Sequence, residues 1–215
     1  METNKELRLK TEMKGEVLKN ANRPDPGSVI RVDPIRELSA IDGIKVLLTK
    51  QPRNFALFVL GINTNLRAID LLGLRVGQVA GLRPGSELVV REKKTGKIRA
   101  IPLNGSVHAA ILAWLAQHPR ADQAEAPLFA SRTGEKALSV PAMNRLVKRW
   151  CHEVGLEGNY GCHTLRKTFG YQHRVHFGTD LPTLMTMFNH SSQRQTLTYL
   201  GIQPEEIRSA YMKEL

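Results

Sequence analysis

From Asp33 onward, stretches of helical periodicity alternate with short polar breaks. Ile35, Leu38, Ile41, Val46 and Leu47 recur at roughly helical spacing behind Asp33–Pro34, which predicts a helix opening there. Asn54–Ile62 is almost wholly apolar and predicts a second, buried helix. Asn63, Thr64 and Asn65 are helix-capping types just ahead of Leu66, so a third helix is expected to start there. The period then changes. In residues 86–103, β-rich runs flank Lys94–Thr95–Gly96–Lys97, which predicts a hairpin with Gly96 supplying the turn. Helical spacing returns over Asn104–His118, with Val107, Ile111, Trp114 and Leu115 on one stripe. Pro127–Ala130 is expected to be a short third strand. Ser139 can cap a helix whose stripe is Met143, Leu146, Val147, Trp150, Cys151 and Val154. Further helices are expected over His163–His176, after Asp180–Pro182, behind Ser191–Ser192 and from Pro204. Gly201 should end the helix before the last. Ile207, Tyr211 and Leu215 share one face of the last helix, which is expected to dock on its own domain. The fold class that follows is α+β and mainly α-helical, with a small antiparallel sheet of two to three strands on one edge.

Residues 1–32 read differently. Apolar residues are too sparse to build a core, and NRPDPGS is a breaker cluster, so this is a basic, polar arm or linker with at most a helical turn around Lys5–Lys19. Residues 33–215 form the expected folded domain.

The composition narrows the function classes. The chain has 215 residues, 41% of them hydrophobic, which suits a globular domain. Its net charge of +11 points to a polyanionic partner, most simply nucleic acid. No apolar run approaches the roughly 20 residues of a membrane span, and the charged N-terminus has no secretory core, so no membrane is expected and the location reads as cytoplasmic. Cys151 and Cys162 then read as reduced thiols. Cys151, His152, Cys162 and His163 invite a zinc reading, but they lack the paired short spacing of structural zinc sites, so no metal or cofactor is expected.

The chemistry concentrates in residues 161–201. His163 and Arg166, three apart, share a helix face and can address one anion, the guanidinium through its planar fork. His190 and Tyr199 follow. A tyrosine hydroxyl near two imidazoles and an arginine is suited to attack on a phosphodiester. Arg67 stands beside apolar segments and needs a partner, for which Asp70 on the same face is the local candidate. The lysines of the hairpin (Lys93, Lys94, Lys97) and the basic face of Arg145, Lys148 and Arg149 are either solvated or DNA-facing, and Lys167 joins them as a DNA-binding candidate.

Arg67, Lys94, His163–x–x–Arg166, His190 and Tyr199 occur in the order and approximate spacing of the tyrosine recombinase (phage integrase) family. LRAIDLLGL, KTGKIRAIPL, CHTLRKTFGYQ, FNHSS and TLTYLGI resemble its motifs over about residues 33–215. FNH departs from the commoner Leu-Gly-His, and Lys167 stands where many members have His. Residues 1–33 are too few for the helical clamping domain that most members carry in front. The resemblance implies site-specific recombination through a 3′-phosphotyrosyl intermediate. Tyr199 would be the nucleophile, Arg67 and Arg166 the phosphate clamp, Lys94 the acid, and His163 and His190 the phosphate ligands or base. It also implies self-association on DNA, as a synaptic tetramer, and no need for metal or ATP. A type IB topoisomerase-like strand transferase and a catalytically silent DNA-binding relative are the alternatives.

Overall fold

The computed structural model describes residues 32–131, 135–200 and 204–214. The expected N-terminal arm and the helical turn expected around Lys5–Lys19, the expected helix end at Gly201, and Leu215 lie outside the described residues. The described residues belong to a compact unit, Val32–Leu215. In chain order its helices are α1 (Leu38–Leu48), α2 (Pro52–Asn63), α3 (Ala68–Leu71) and α4 (Val76–Val79). The strands β1 (Glu87–Arg91) and β2 (Ile98–Pro102) follow. Then come α5 (Gly105–Leu115), α6 (Val140–Glu153), α7 (Cys162–Val175), α8 (Leu181–Phe188), α9 (Gln193–Leu200) and α10 (Pro204–Tyr211).

Local chemistry explains most of these ends. Pro52 opens α2 at a position where its missing N–H costs nothing. The side chains of Asn104, Ser139 and Asp180 accept from the backbone N–H groups of Val107, Ala142 and Thr183, capping α5, α6 and α8. Ser192 Oγ accepts from Gln195 N–H at the start of α9.

Tertiary contacts override local signals elsewhere. The first helix begins at Leu38, not at Asp33. Ile35 N–H donates to Thr168 Oγ1 (2.8 Å), and the carbonyls of Ile35 and Arg36 accept from Gln172 Nε2. These bonds commit the segment to α7 instead of to a helical turn. No helix starts at Leu66: Asn65 takes a left-handed conformation (φ 54°), and Arg67, with extended backbone, is the N-cap of the one-turn α3. Pro127–Ala130 makes only isolated bridges, Arg75 with Pro127 and Ala130 with Ala137. Among the described residues the sheet is therefore two-stranded.

β1 and β2 pair antiparallel from Glu87–Pro102 to Arg91–Ile98. The burial of Leu88, Val90 and Ile101 puts one face of the hairpin on the core. That core gathers α1, α2, α5 and α6 around Leu57, Phe58, Phe129, Val147 and Trp150. A smaller apolar cluster of Phe169, Leu184, Phe188 and Leu200 lies between α7, α8 and α9. The last helix departs from expectation: Ile207 and Tyr211 are 50% and 85% exposed, so its apolar face is not docked. Among the described residues no helix is long and apolar enough to cross a membrane.

Candidate active site

Arg67, Lys94, His163, Arg166, His190 and Tyr199 line one cleft of about 540 Å³, together with Ala68, Ile69, Val140 and Gln195. The elements bring these side chains from five places: the cap of α3, the hairpin turn, α7, the α8–α9 corner and α9.

Arg166 is buried to 4% exposure. Its Nη1 donates to the carbonyl of Asn65 and its Nη2 to that of Phe188 (3.0 Å). The left-handed turn at Asn65 presents that carbonyl, and the Asn65 Nδ2 donates to Met187 O (2.6 Å), joining the α2–α3 corner to α8. The Arg166 guanidinium also lies over the Phe188 ring, 5.0 Å from its centre. Burial, with Arg67 and Arg99 nearby, lowers its pKa to about 10, while Tyr199 and Glu92 oppose the shift. It stays a cation at neutral pH.

α7 begins at a tight junction. Asn144 Oδ1, from α6, accepts from Cys162 N–H (2.9 Å), and a side chain at position 161 would place its Cβ 2.3 Å from that oxygen. Gly161 therefore permits the cap that fixes the turn carrying His163. His163 is exposed at the cleft, and His190 is half-buried. Partial desolvation, then the positive charge of Arg166, Lys167, Arg67 and Lys94, lowers the His163 pKa. Burial, then Arg166 and Arg67, lowers that of His190 to about 4. Both imidazoles are thus neutral at physiological pH. His190 Nδ1 lies 3.0 Å from Thr196 Oγ1, and its ring stacks on Phe188 and meets the Tyr199 ring edge-on, 5.6 Å between centres.

Tyr199 packs against the small cluster under α9, close to the Phe188 ring. Its hydroxyl is buried and has no hydrogen-bond partner among the described residues. Burial raises the phenol pKa, although Arg166 and Arg67 pull the other way. A buried hydroxyl without a well-aligned hydrogen bond, facing two cations, is placed to meet an incoming group.

Arg67 does not pair with Asp70. Its Nη1 lies 2.8 Å from Glu92 Oε2; Arg67 is the N-cap of α3, and its extended backbone sets it apart from the helical residues that carry Asp70. Asp70 Oδ1 instead accepts from Lys93 N–H (2.8 Å) and holds the hairpin turn. Glu92, Arg99 and Asn65 are the site residues that sequence reasoning missed. The only signal was alternation along the hairpin, which turns Val90, Glu92 and Arg99 inward.

The DNA-binding candidates occupy several places. Lys93, Lys97, Arg145, Lys148 and Arg149 are exposed. Lys97 Nζ reaches Asn189 Oδ1 (3.1 Å), and Lys167 Nζ lies over the Tyr199 ring. Cys151 is buried in the main core, where burial pushes its thiol up to about 12. Among the described residues no group of three or more His, Cys, Asp or Glu could hold a metal.

Residues 35–206 match the phage integrase family. The chain belongs to this family, the tyrosine recombinases that break and rejoin DNA. It is 36% identical over 181 residues to the "Probable integrase/recombinase YoeC" of Bacillus subtilis, covering 84% of this chain and 95% of that protein. It is 30% identical over 159 residues to the tyrosine recombinase XerC of Rhodospirillum centenum, covering 74% of this chain and 45% of the relative. The chain thus spans about half the length of the XerC relatives it matches. Among solved structures, XerA recombinase superimposes with a TM-score of 0.70 at 18% identity, covering 88% of this chain and 67% of that one. The XerH recombinase in its post-cleavage complex with a difH substrate gives 0.68 at 19%, covering 88% and 54%. These likenesses show the fold of the catalytic domain.

Proposed function

We propose that this chain cuts and rejoins double-stranded DNA at a specific site through a 3′-phosphotyrosyl bond. The observation that carries the reading is the cleft in which Tyr199, two guanidiniums, two imidazoles and Lys94 converge. Arg67 and Arg166 grip the non-bridging oxygens of the scissile phosphate and neutralise charge that grows in the transition state. The Tyr199 oxygen attacks phosphorus as the bond from phosphorus to the 5′ oxygen breaks. The Tyr199 proton passes to a neutral imidazole, His190 or His163, and Lys94 supplies a proton to the departing 5′ oxygen. Rejoining reverses these steps with the 5′ hydroxyl of another strand. The phosphodiester energy is kept in the tyrosyl link, so neither ATP nor a metal is called for.

The exposed lysines and arginines of the hairpin and α6 support contact with DNA phosphates. The bacterial source of the relatives supports a cytoplasmic, DNA-associated location. Self-association on DNA, up to a synaptic tetramer, completes the reading, and the exposed apolar face of α10 offers a surface for it.

The test is incubation with nicked duplexes from the chain's genomic neighbourhood. A covalent protein–DNA adduct should form with the wild-type chain. Tyr199→Phe should bind the same DNA and form none. An adduct that survives in Tyr199→Phe and vanishes in Tyr211→Phe would move the nucleophile to α10.

A further inference from the structure

Glu92 follows β1 directly, two residues before Lys94, and its side chain is completely buried. A buried carboxylate is costly unless charges and donors surround it. Glu92 has three partners: Arg67 Nη1 lies 2.8 Å from Oε2, Arg99 Nη1 lies 3.2 Å from Oε1, and the Thr95 hydroxyl donates to Oε2 at 2.7 Å. Burial works against ionisation, but the Thr95 hydroxyl, Arg67 and Arg99 outweigh it and lower the pKa to about 2. The carboxylate is therefore charged whenever the protein is folded at ordinary pH.

The contacts continue beyond Glu92. Arg99 Nη2 donates to Met187 O (3.0 Å) and its Nη1 reaches Asn65 O, the same carbonyl that accepts from Arg166. One chain of contacts thus runs from Arg67 through Glu92, Arg99 and Asn65 to Arg166. Neither Glu92 nor Arg99 lines the cleft; both act behind it. The ion pair with the buried Glu92 carboxylate, 2.8 Å away, fixes the location of the Arg67 guanidinium.

We propose that Glu92 is a positioning residue: through its buried contacts with Arg67 and Arg99 it sets the aim of Arg67, relative to Arg166, at the scissile phosphate. This rests on the reading that Arg67 grips that phosphate. A residue that only held the hairpin together would slow cleavage of every substrate alike. A residue that aims one guanidinium at one oxygen changes the discrimination between the two non-bridging oxygens.

The experiment uses the full chain and nicked duplexes carrying a single phosphorothioate at the scissile position, as separated Rp and Sp forms. The readout is the ratio of their single-turnover cleavage rates. Arg67→Lys should change this ratio. Glu92→Gln should shift it in the same direction, by roughly threefold or more, the scale of coupling between contacting residues, and should add no shift in the Arg67→Lys background. Should Glu92→Gln not fold, Glu92→Asp keeps the charge but shortens the reach, and is read in the same assay with the same direction expected. A slower Glu92 variant with the wild-type ratio overturns the inference. So does full recovery of its rate on a substrate with 5′-bridging sulfur, which would place its action at the Lys94 turn. A ratio untouched by Arg67→Lys would instead overturn the phosphate-gripping role of Arg67 itself.

Discussion

His190 illustrates how surroundings decide a side chain's chemistry. In water an imidazole is half-protonated near pH 6.5. Here burial, followed by the charges of Arg166 and Arg67, holds the pKa down to about 4. The sign for stability follows: the folded pKa lies below the unfolded one, so the folded state binds this proton less readily. Stability is fully present above about pH 6.5 and is lost as pH falls toward 4. Proton NMR of the DNA-free protein should show the His190 Cε1–H signal titrating with a midpoint well below 6. The melting temperature should decline over that acid window, and less steeply in His190→Asn. A midpoint near 6.5 would mean that the ring is solvated and the cations are too distant to matter. Singling out His190 from the sequence was possible because it belongs to a run of functional types ordered along the chain. Glu92, Asn65 and Arg99 carry no such mark. Their roles exist only once the hairpin lies against α3 and α8, and local spacing pointed to Asp70 in place of Glu92 as the partner of Arg67.

Among the elements, the hairpin and the α7–α9 contact make separate demands. The hairpin presents Lys94 on a turn tied down by Glu92, Asp70 and Asn189. Lys94→Ala should slow cleavage of ordinary DNA, because a 5′ alkoxide leaves poorly without a proton. A 5′-bridging sulfur needs no such proton, so that substrate should be cut almost normally by the variant. Equal slowing on both substrates would take the acid role from Lys94, and Lys93 and Lys97 would be substituted next. The helix contact depends on Gly170. An added Cβ there would lie 2.3 Å from Leu200 Cδ2 and 2.6 Å from Phe188 Cζ. Gly170→Ala should cost about 1–3 kcal/mol by overpacking. It should also lower the adduct yield, since Leu200 adjoins Tyr199 on α9; calorimetry and the covalent-adduct assay read the two effects. An unchanged melting temperature would show that α9 moves aside freely. Periodicity predicted α5, α6 and α8 well because each has a stripe facing a core and a local cap at its start, whereas the start of α7 is held from α6 by Asn144. It failed at Asp33 and Leu66, where Thr168, Gln172 and the left-handed Asn65 redirect the backbone through contacts distant in sequence.

The whole molecule carries a net charge of +11, and its exposed basic residues include Lys93, Lys94, Arg145, Lys148 and Arg149. Duplex DNA surrounds itself with condensed cations, and each phosphate neutralised by a lysine or arginine releases them. Binding by this chain should therefore weaken steeply with salt, by about a thousandfold or more between roughly 50 and 200 mM if six or more phosphates are touched. The slope also locates the binding faces. In the proposed reaction the cleft residues hold one phosphate, so most of the salt dependence should come from faces outside it. On α6, Arg145, Lys148 and Arg149 lie opposite the buried stripe of Met143, Val147 and Trp150, and no core packing depends on them. Replacing all three with Gln should leave the melting temperature unchanged. If this face lies on DNA, the slope of log K against log salt should become shallower by about 0.9 for each phosphate that is no longer neutralised. Titrations on random and candidate-site duplexes at several salt concentrations measure the slope directly. A slope identical to that of the wild-type chain would leave α6 as a solvated face and confine DNA binding to the cleft and the hairpin.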